Sequence, residues 1–178
     1  MFVQRDTDPL TFEFFFMVSL RCLINASPVF RKMLTGPWRE AAGFREKGHT
    51  TLRIRNWFPP TVSLFLTALH DPSGDIPEHV GLKAIAGIAT ISDYYDCPEK
   101  LGDWPKRCLQ GLDENKLKDP KDLMAWLWAS YVFQEPDSFK RATCKLCRLC
   151  PGPIESMGFP IPLGLMGEDL LSHPLSGR

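Results

Sequence analysis

Residues 80–95 read VGLKAIAGIATISDYY, and their apolar pattern indicates the fold class. The apolar side chains in it cover more than one face of a helix; they are Leu82, Ile85, Ala86, Ile88, Ala89 and Ile91. A helix that is apolar on several faces is normally buried between other elements. The sequence therefore predicts a largely helical protein in which this helix is central.

The segments on either side add more helices and a little strand. In residues 60–70 the apolar positions recur at i, i+3, i+4 and i+7, which is typical of an amphipathic helix. Further helices are predicted over 27–35, 98–112, 122–133 and 136–149, strands over 11–19 and 50–56, a polar loop over 43–48 and a turn over 71–78. The predicted fold class is α+β and helix-dominated.

Length and charge exclude several function classes. The chain has 178 residues with 21 basic and 21 acidic side chains, so its net charge is zero. This balance argues against a protein that coats nucleic acid or an anionic membrane. The longest uncharged apolar run, residues 14–20, is far shorter than the ~20 residues of a membrane-spanning helix, and the nearby Asp6, Asp8 and Glu13 argue against a secretory signal. We therefore expect the cytoplasm or the nucleus.

No catalytic motif stands in the sequence. G-x-S-x-G, H-E-x-x-H and the glycine-rich phosphate-binding motifs are all missing, and the four histidines lie in different segments. His70, at the end of a predicted helix, is interpreted as structural. We therefore predict a protein that is not an enzyme and has no cofactor.

Three of the six cysteines are clustered in Cys144-x-x-Cys147-x-x-Cys150. A closed zinc site needs four ligands, and the nearest downstream histidine is His173, so structural thiols are the favoured interpretation and no metal is predicted. A metal- or redox-responsive protein built on this cluster remains the alternative. The four basic residues around the thiols are interpreted as a solvated helix face.

Two aromatic segments have more than one interpretation. Trp38-Arg39-Glu40 directly follows the helix stop Gly36-Pro37, and the Trp is either a lid on the local core or an anchor for a partner. Tyr94 and Tyr95 end the central helix, where both rings are expected to be buried.

The sequence also resembles a known family. LINASPVFRKMLTGPWRE at 23–40, TLRIRNW at 51–57 and IPEHVGLKAIAGIATISDYYDCPEKLGDW at 76–104 resemble the BTB/POZ fold, and above all the fungal BTB-domain proteins with a helical C-terminal extension. DLMAWLWASYVFQEPDSFKRAT at 122–143 and GPIESMGFPIP at 152–162 resemble that extension. Together the resemblance covers residues 18–163.

The resemblance implies a fold and a set of partners. It implies a BTB/POZ-like domain over 1–112, with a short N-terminal sheet packed on a helical bundle, then a helical extension over 113–163 and a tail over 164–178. Proteins of this family are interaction or oligomerisation modules, commonly homodimers, and work without catalysis. The N-terminal residues depart from the family pattern, because the first 21 residues contain no glycine for a hairpin turn and the first strand is either lost or altered.

The resemblance also implies a site. Some BTB proteins are adaptors that bind a cullin-type ubiquitin-ligase scaffold through a hydrophobic-x-Glu element. Trp38-Arg39-Glu40 matches that element, and Phe30 and Met33 are expected beside the same groove. The predicted partner-binding residues are therefore Trp38, Arg39, Glu40, Phe30 and Met33, while a scaffold without a ligase connection shares the same fold.

Overall fold

Helices dominate the computed structural model, which describes residues 2–8, 11–71, 76–150 and 156–162. The strands are β1 (Phe2–Asp8) and β2 (Thr11–Phe16), and the helices are α1 (Leu20–Ala26), α2 (Pro28–Thr35), α3 (Arg39–Lys47), α4 (Pro59–His70), α5 (Leu82–Tyr94), α6 (Trp104–Gln110), α7 (Pro120–Val132) and α8 (Pro136–Leu149). Short 3-10 turns lie at Pro98–Leu101 and Glu114–Lys116. In these described residues, no helix combines the length and apolar character that crossing a bilayer requires.

The two strands form an antiparallel hairpin. Phe2 is opposite Phe16 and Arg5 is opposite Glu13, with a register irregularity between Asp6 and Asp8. The predicted strand over 11–19 is confirmed as far as residue 16, and a first strand is present at residues 2–8.

Five predicted helices, α2, α4, α5, α7 and α8, are confirmed with ends that agree within about two residues. The helix predicted over 98–112 is instead divided. A 3-10 turn comes first, Gly102 follows with a φ of 61°, and α6 begins at Trp104. A positive φ is incompatible with helix propagation, and glycine adopts it at little cost, so the helix is interrupted at Gly102.

The polar loop predicted over 43–48 is the first of two local predictions that are wrong. Residues 43–48 belong mostly to α3 rather than to a loop, because Gly43 is tolerated inside a helix whose first turn carries Glu40 and whose last turn carries Arg45 and Lys47. The helix ends at Lys47, and Gly48 follows as its C-cap with a φ of 72°. The chain is therefore helical through a stretch whose composition suggests a loop.

The strand predicted over 50–56 does not form. Its alternating pattern of Leu52 and Ile54 against Arg53 and Arg55 is present, but residues 51–55 pair with no strand in the described part of the chain. A strand requires a neighbour for its backbone hydrogen bonds, and side-chain alternation alone does not supply one. The predicted turn over 71–78 lies largely outside the described residues, which omit 72–75.

The chain divides into two units by its internal contacts. The first unit comprises residues 1–76 and 91–102, and the second comprises residues 77–90 and 103–178. Helix α5 contributes residues to each. The buried core of the first unit includes Leu23, Phe30, Leu34, Ala41, Val62, Phe65, Ile91, Tyr95 and Leu101, and that of the second includes Ile85, Ile88, Trp104, Leu109, Leu123, Trp126, Leu127, Trp128, Ala142 and Leu146. The limits predicted at residues 112 and 163 stay predictions, and the tail over 164–178 lies outside the described residues.

Candidate functional site

An open groove of about 410 Å³ lies on the first unit, where α2 is followed by α3. Its lining residues are Val29, Lys32, Met33, Trp38 and Glu40. Three of the predicted partner-binding residues therefore line one groove. Val29 and Lys32 were not predicted, although their spacing of i, i+3 and i+4 with Met33 places them on one face of α2.

The turn between the two helices brings Trp38 to this groove. A Cβ atom added to Gly36 would lie 2.5 Å from the carbonyl oxygen of Lys32 and 3.0 Å from Cδ1 of Trp38. No side chain fits in that space, so the close approach of the turn to the end of α2 depends on glycine. Pro37 then follows, and α3 begins two residues later.

The Trp38 side chain is 58% exposed, which distinguishes the two interpretations of this residue. A lid on the core would be largely buried, whereas an anchor for a partner has to be accessible in the free protein. Arg39 is exposed beside it, and Glu40 is half-buried in the first turn of α3, where the helix dipole favours a carboxylate.

Phe30 and Met33 have different environments although they lie three residues apart on α2. Phe30 is 1% exposed, and its ring stacks on that of Tyr95 with 4.1 Å between the ring centroids. Met33 is half-buried and lines the groove. Phe30 is therefore a core residue that supports the helix, and only Met33 of the two offers surface to a partner.

Helix α2 is held in place at its N-terminus. The Ser27 hydroxyl accepts a hydrogen bond from the Phe30 N–H at 3.0 Å and donates one to the carbonyl of Tyr95. Ser27 is fully buried, so both bonds are shielded from water. Ser27 directly precedes Pro28, which is a local signal for the start of a helix, but the bond to Tyr95 joins residues 68 positions apart, and no local pattern reveals it.

Tyr95 and Tyr94 differ in burial, contrary to the expectation that both rings are buried. Tyr95 is buried, and burial, followed by the nearby Tyr94 and Cys97, raises its pKa to about 12. Tyr94, the last residue of α5, is 64% exposed, because adjacent residues at a helix end point in different directions and only Tyr95 points into the core. Burial, followed by Asp96, also raises the pKa of the Cys97 thiol to about 12, so this cysteine is not an activated nucleophile.

His70 makes two hydrogen bonds at the end of α4. Its Nε2 accepts the backbone N–H of Ser19 at 2.9 Å, while Nδ1 lies 2.8 Å from the carbonyl oxygen of Leu66. This arrangement requires a neutral ring that carries its proton on Nδ1 and donates it to Leu66. With both nitrogens engaged by the backbone, His70 has the structural role that the sequence suggested.

The cysteine cluster lies on and just after α8. Cys144, Cys147 and Cys150 are free and half-buried. Among the described residues, no three histidine, cysteine, aspartate or glutamate side chains are close enough together to hold a metal ion. His173 lies outside the described residues. Two of the four basic residues here are paired rather than solvated, with Arg141 and Lys145 lying 3.7 Å and 3.5 Å from the Glu114 carboxylate.

No protein-family model, no curated protein and no solved structure matches the chain. The BTB/POZ resemblance therefore rests on the sequence blocks alone.

Proposed function

We propose that the chain is a BTB/POZ-type protein–protein interaction module without catalytic activity, and that it acts as an adaptor for a cullin-type ubiquitin ligase. The observation that carries this proposal is the accessible Trp38 beside Glu40 and Met33 in one groove. These are the residues that the family resemblance assigns to scaffold binding.

The groove has the chemistry of a protein-binding surface. Val29 and Met33 supply apolar surface, and methionine adapts its shape to different partners. Trp38 is a tryptophan, a residue type enriched at energetic hot spots because it buries a large rigid surface on binding. Lys32 and Glu40 have opposite charges, which favours a partner with a complementary pair and fixes its orientation. A helix with an apolar face fits this description.

The test is a binding titration with purified cullin-type scaffolds, using isothermal calorimetry. We expect the double variant Trp38→Ala with Glu40→Ala to bind at least about 30-fold more weakly than the wild type, because the truncation removes a hot spot. The matched control is Phe58→Ala with Glu46→Ala, which removes an exposed aromatic and an exposed carboxylate from the same unit outside the groove.

The outcomes separate the competing roles. Equal affinities of the groove variant and the wild type for the scaffold would overturn the assignment of this groove as the scaffold-binding site. Failure of the wild-type chain to bind any scaffold, together with self-association in light scattering, would instead indicate an oligomerisation scaffold without a ligase connection.

A further inference from the structure

A second groove of the first unit, of about 420 Å³, has a different composition. Its lining residues are Arg53, Ile54, Arg55, Asn56, Trp57, Tyr94 and Tyr95. Two positive charges and three aromatic rings face this groove, and no carboxylate is among the lining residues. The proposed scaffold-binding function does not use any of these side chains.

The two arginines are available for a ligand. Arg53 and Arg55 are both exposed, and within the described residues neither guanidinium makes an ion pair or a hydrogen bond. The guanidinium group has a fork of donors that matches a carboxylate in a two-bond geometry. The charge of this groove is therefore complementary to an acidic ligand.

The aromatic residues supply apolar surface beside the charges. Tyr94 is 64% exposed, and its ring lies edge-on to that of Trp57 with 6.2 Å between centroids. Ile54, between the two arginines, is 37% exposed. A ligand that alternates acidic and apolar side chains would match this arrangement of arginines and apolar groups.

The backbone of the same segment is unpaired. Residues 51–55 lie outside helix and strand and make no hydrogen bond with any other described residue. Asn56 then adopts a φ of 68°, so the chain turns before Trp57. Free main-chain N–H and C=O groups can pair with an added peptide strand, a common mode of peptide recognition.

We propose that this groove binds an extended acidic segment of another protein, with its carboxylates on Arg53 and Arg55 and its main chain paired with residues 51–55. Apolar side chains of the bound segment pack against Trp57 and Tyr94. Phosphates and bases would also suit arginines and aromatic rings. The unpaired backbone and the zero net charge of the chain favour the peptide.

The test uses the full chain and a fluorescein-labelled peptide of alternating glutamate and valine, followed by fluorescence anisotropy. We expect Arg53→Gln with Arg55→Gln to weaken binding about tenfold or more, because two charge-assisted contacts are lost. The matched control, Arg45→Gln with Lys47→Gln, removes two exposed charges from α3 and should leave the affinity within about twofold. Tyr94→Ala, an exposed position, should also weaken binding.

Two modified ligands test the binding mode. A peptide in which alternate backbone amides are N-methylated should bind more weakly than the unmodified peptide. Equal affinities of the two peptides would overturn the proposed main-chain pairing and, with it, the proposal that the ligand is a peptide. Tighter binding of an oligothymidylate probe than of the acidic peptide, lost in the Arg53→Gln, Arg55→Gln variant, would assign the groove to nucleic acid instead. Equal peptide affinities of that arginine variant and of the control would overturn the site itself.

Discussion

The two units of the chain place the same kinds of side chain in opposite environments. In the second unit, Trp126 and Trp128 are 0% and 1% exposed. In the first unit, Trp38 and Phe58 are 58% and 70% exposed. Most of the large apolar side chains that remain accessible in the described residues belong to the first unit. Contiguous apolar patches on a folded chain mark surfaces that bind something else, whereas a single exposed side chain such as Phe58 does not.

The polar groups of the two units differ in the partners they find. In the second unit, the Nε1–H of Trp128 donates to the Thr90 hydroxyl at 2.9 Å, and that of Trp104 donates to the carbonyl of Pro77 at 2.8 Å. Glu114 of the same unit is paired with two cations. Arg53 of the first unit, by contrast, has no such partner in the described residues. The pairing in the second unit is not complete, because the buried Nε1–H of Trp126 has no hydrogen-bond partner in the described residues.

The largest expected effect compares one substitution in the two units. Trp128→Ala should lower the free energy of unfolding by about 3–5 kcal/mol, because it leaves a cavity and removes the hydrogen bond that the Thr90 hydroxyl accepts. Trp38→Ala should change it by no more than about 0.5 kcal/mol, since that ring is mostly exposed. Urea titrations followed by circular dichroism measure both. Equal losses of unfolding free energy in the two variants would contradict the difference in tryptophan burial between the two units.

An intermediate effect is expected at the start of α8. The buried Glu135 carboxylate accepts the Ser138 N–H at 2.7 Å and the Gln110 amide at 3.3 Å. Burial raises the pKa of Glu135, but the hydrogen bonds from Ser138 and Gln110, with Arg141 nearby, outweigh it and hold the pKa below its usual value. At neutral pH, Glu135→Ala should therefore cost about 1–2 kcal/mol, the usual range for loss of an N-cap.

The pH dependence of this effect has a definite sign. Because the pKa of Glu135 is lower in the folded than in the unfolded state, its contribution is complete above the unfolded value of 4.5. It is lost as the pH falls through the lowered folded value. Urea titrations at a series of acidic pH values should show the wild type and Glu135→Ala converging. A difference that is independent of pH would contradict the carboxylate's role.

The smallest expected effect concerns the charges. Glu114→Gln should lower the free energy of unfolding by about 0.2–1 kcal/mol, and added salt should reduce the loss, because both cations around it are partly exposed. Arg53→Gln with Arg55→Gln should leave stability unchanged within about 0.5 kcal/mol, since neither side chain has a partner in the described residues. Thermal unfolding at low and high salt compares the two. A larger loss in the arginine variant would show that these charges serve the fold.

Helices with local start signals were predictable from the sequence. Ser27 and Asp119 each precede a proline, and in the structure each side chain accepts a backbone N–H of the helix that follows. Such signals act within one turn, so they can be read from adjacent residues. The limits of α8 were predicted to the residue for a similar reason, since Pro136 begins it and Pro151 follows its end.

Features that depend on distant residues were not predictable. The strand pattern at 50–56 lacks the partner that would make it a strand, and nothing in the segment itself reveals this. Tyr94 and Tyr95 are adjacent aromatic residues, yet only Tyr95 meets Phe30 and Phe65. The residues of the groove were predicted from the family resemblance and not from a local pattern. The exposure of Trp38 follows from the close turn at Gly36.

The contact of Ser27 and Phe30 with Tyr95 also sets an order of events during synthesis. The ribosome synthesises residues 77–90, which belong to the second unit, before it synthesises Tyr95. Until that ring emerges, Phe30 lacks its stacking partner and Ser27 lacks the carbonyl that its hydroxyl binds. Domains generally fold as units while the chain grows from its N-terminus. We therefore expect the first unit to complete its core only after residues 91–102 have been synthesised, and Phe30 to lack its stacking partner until then.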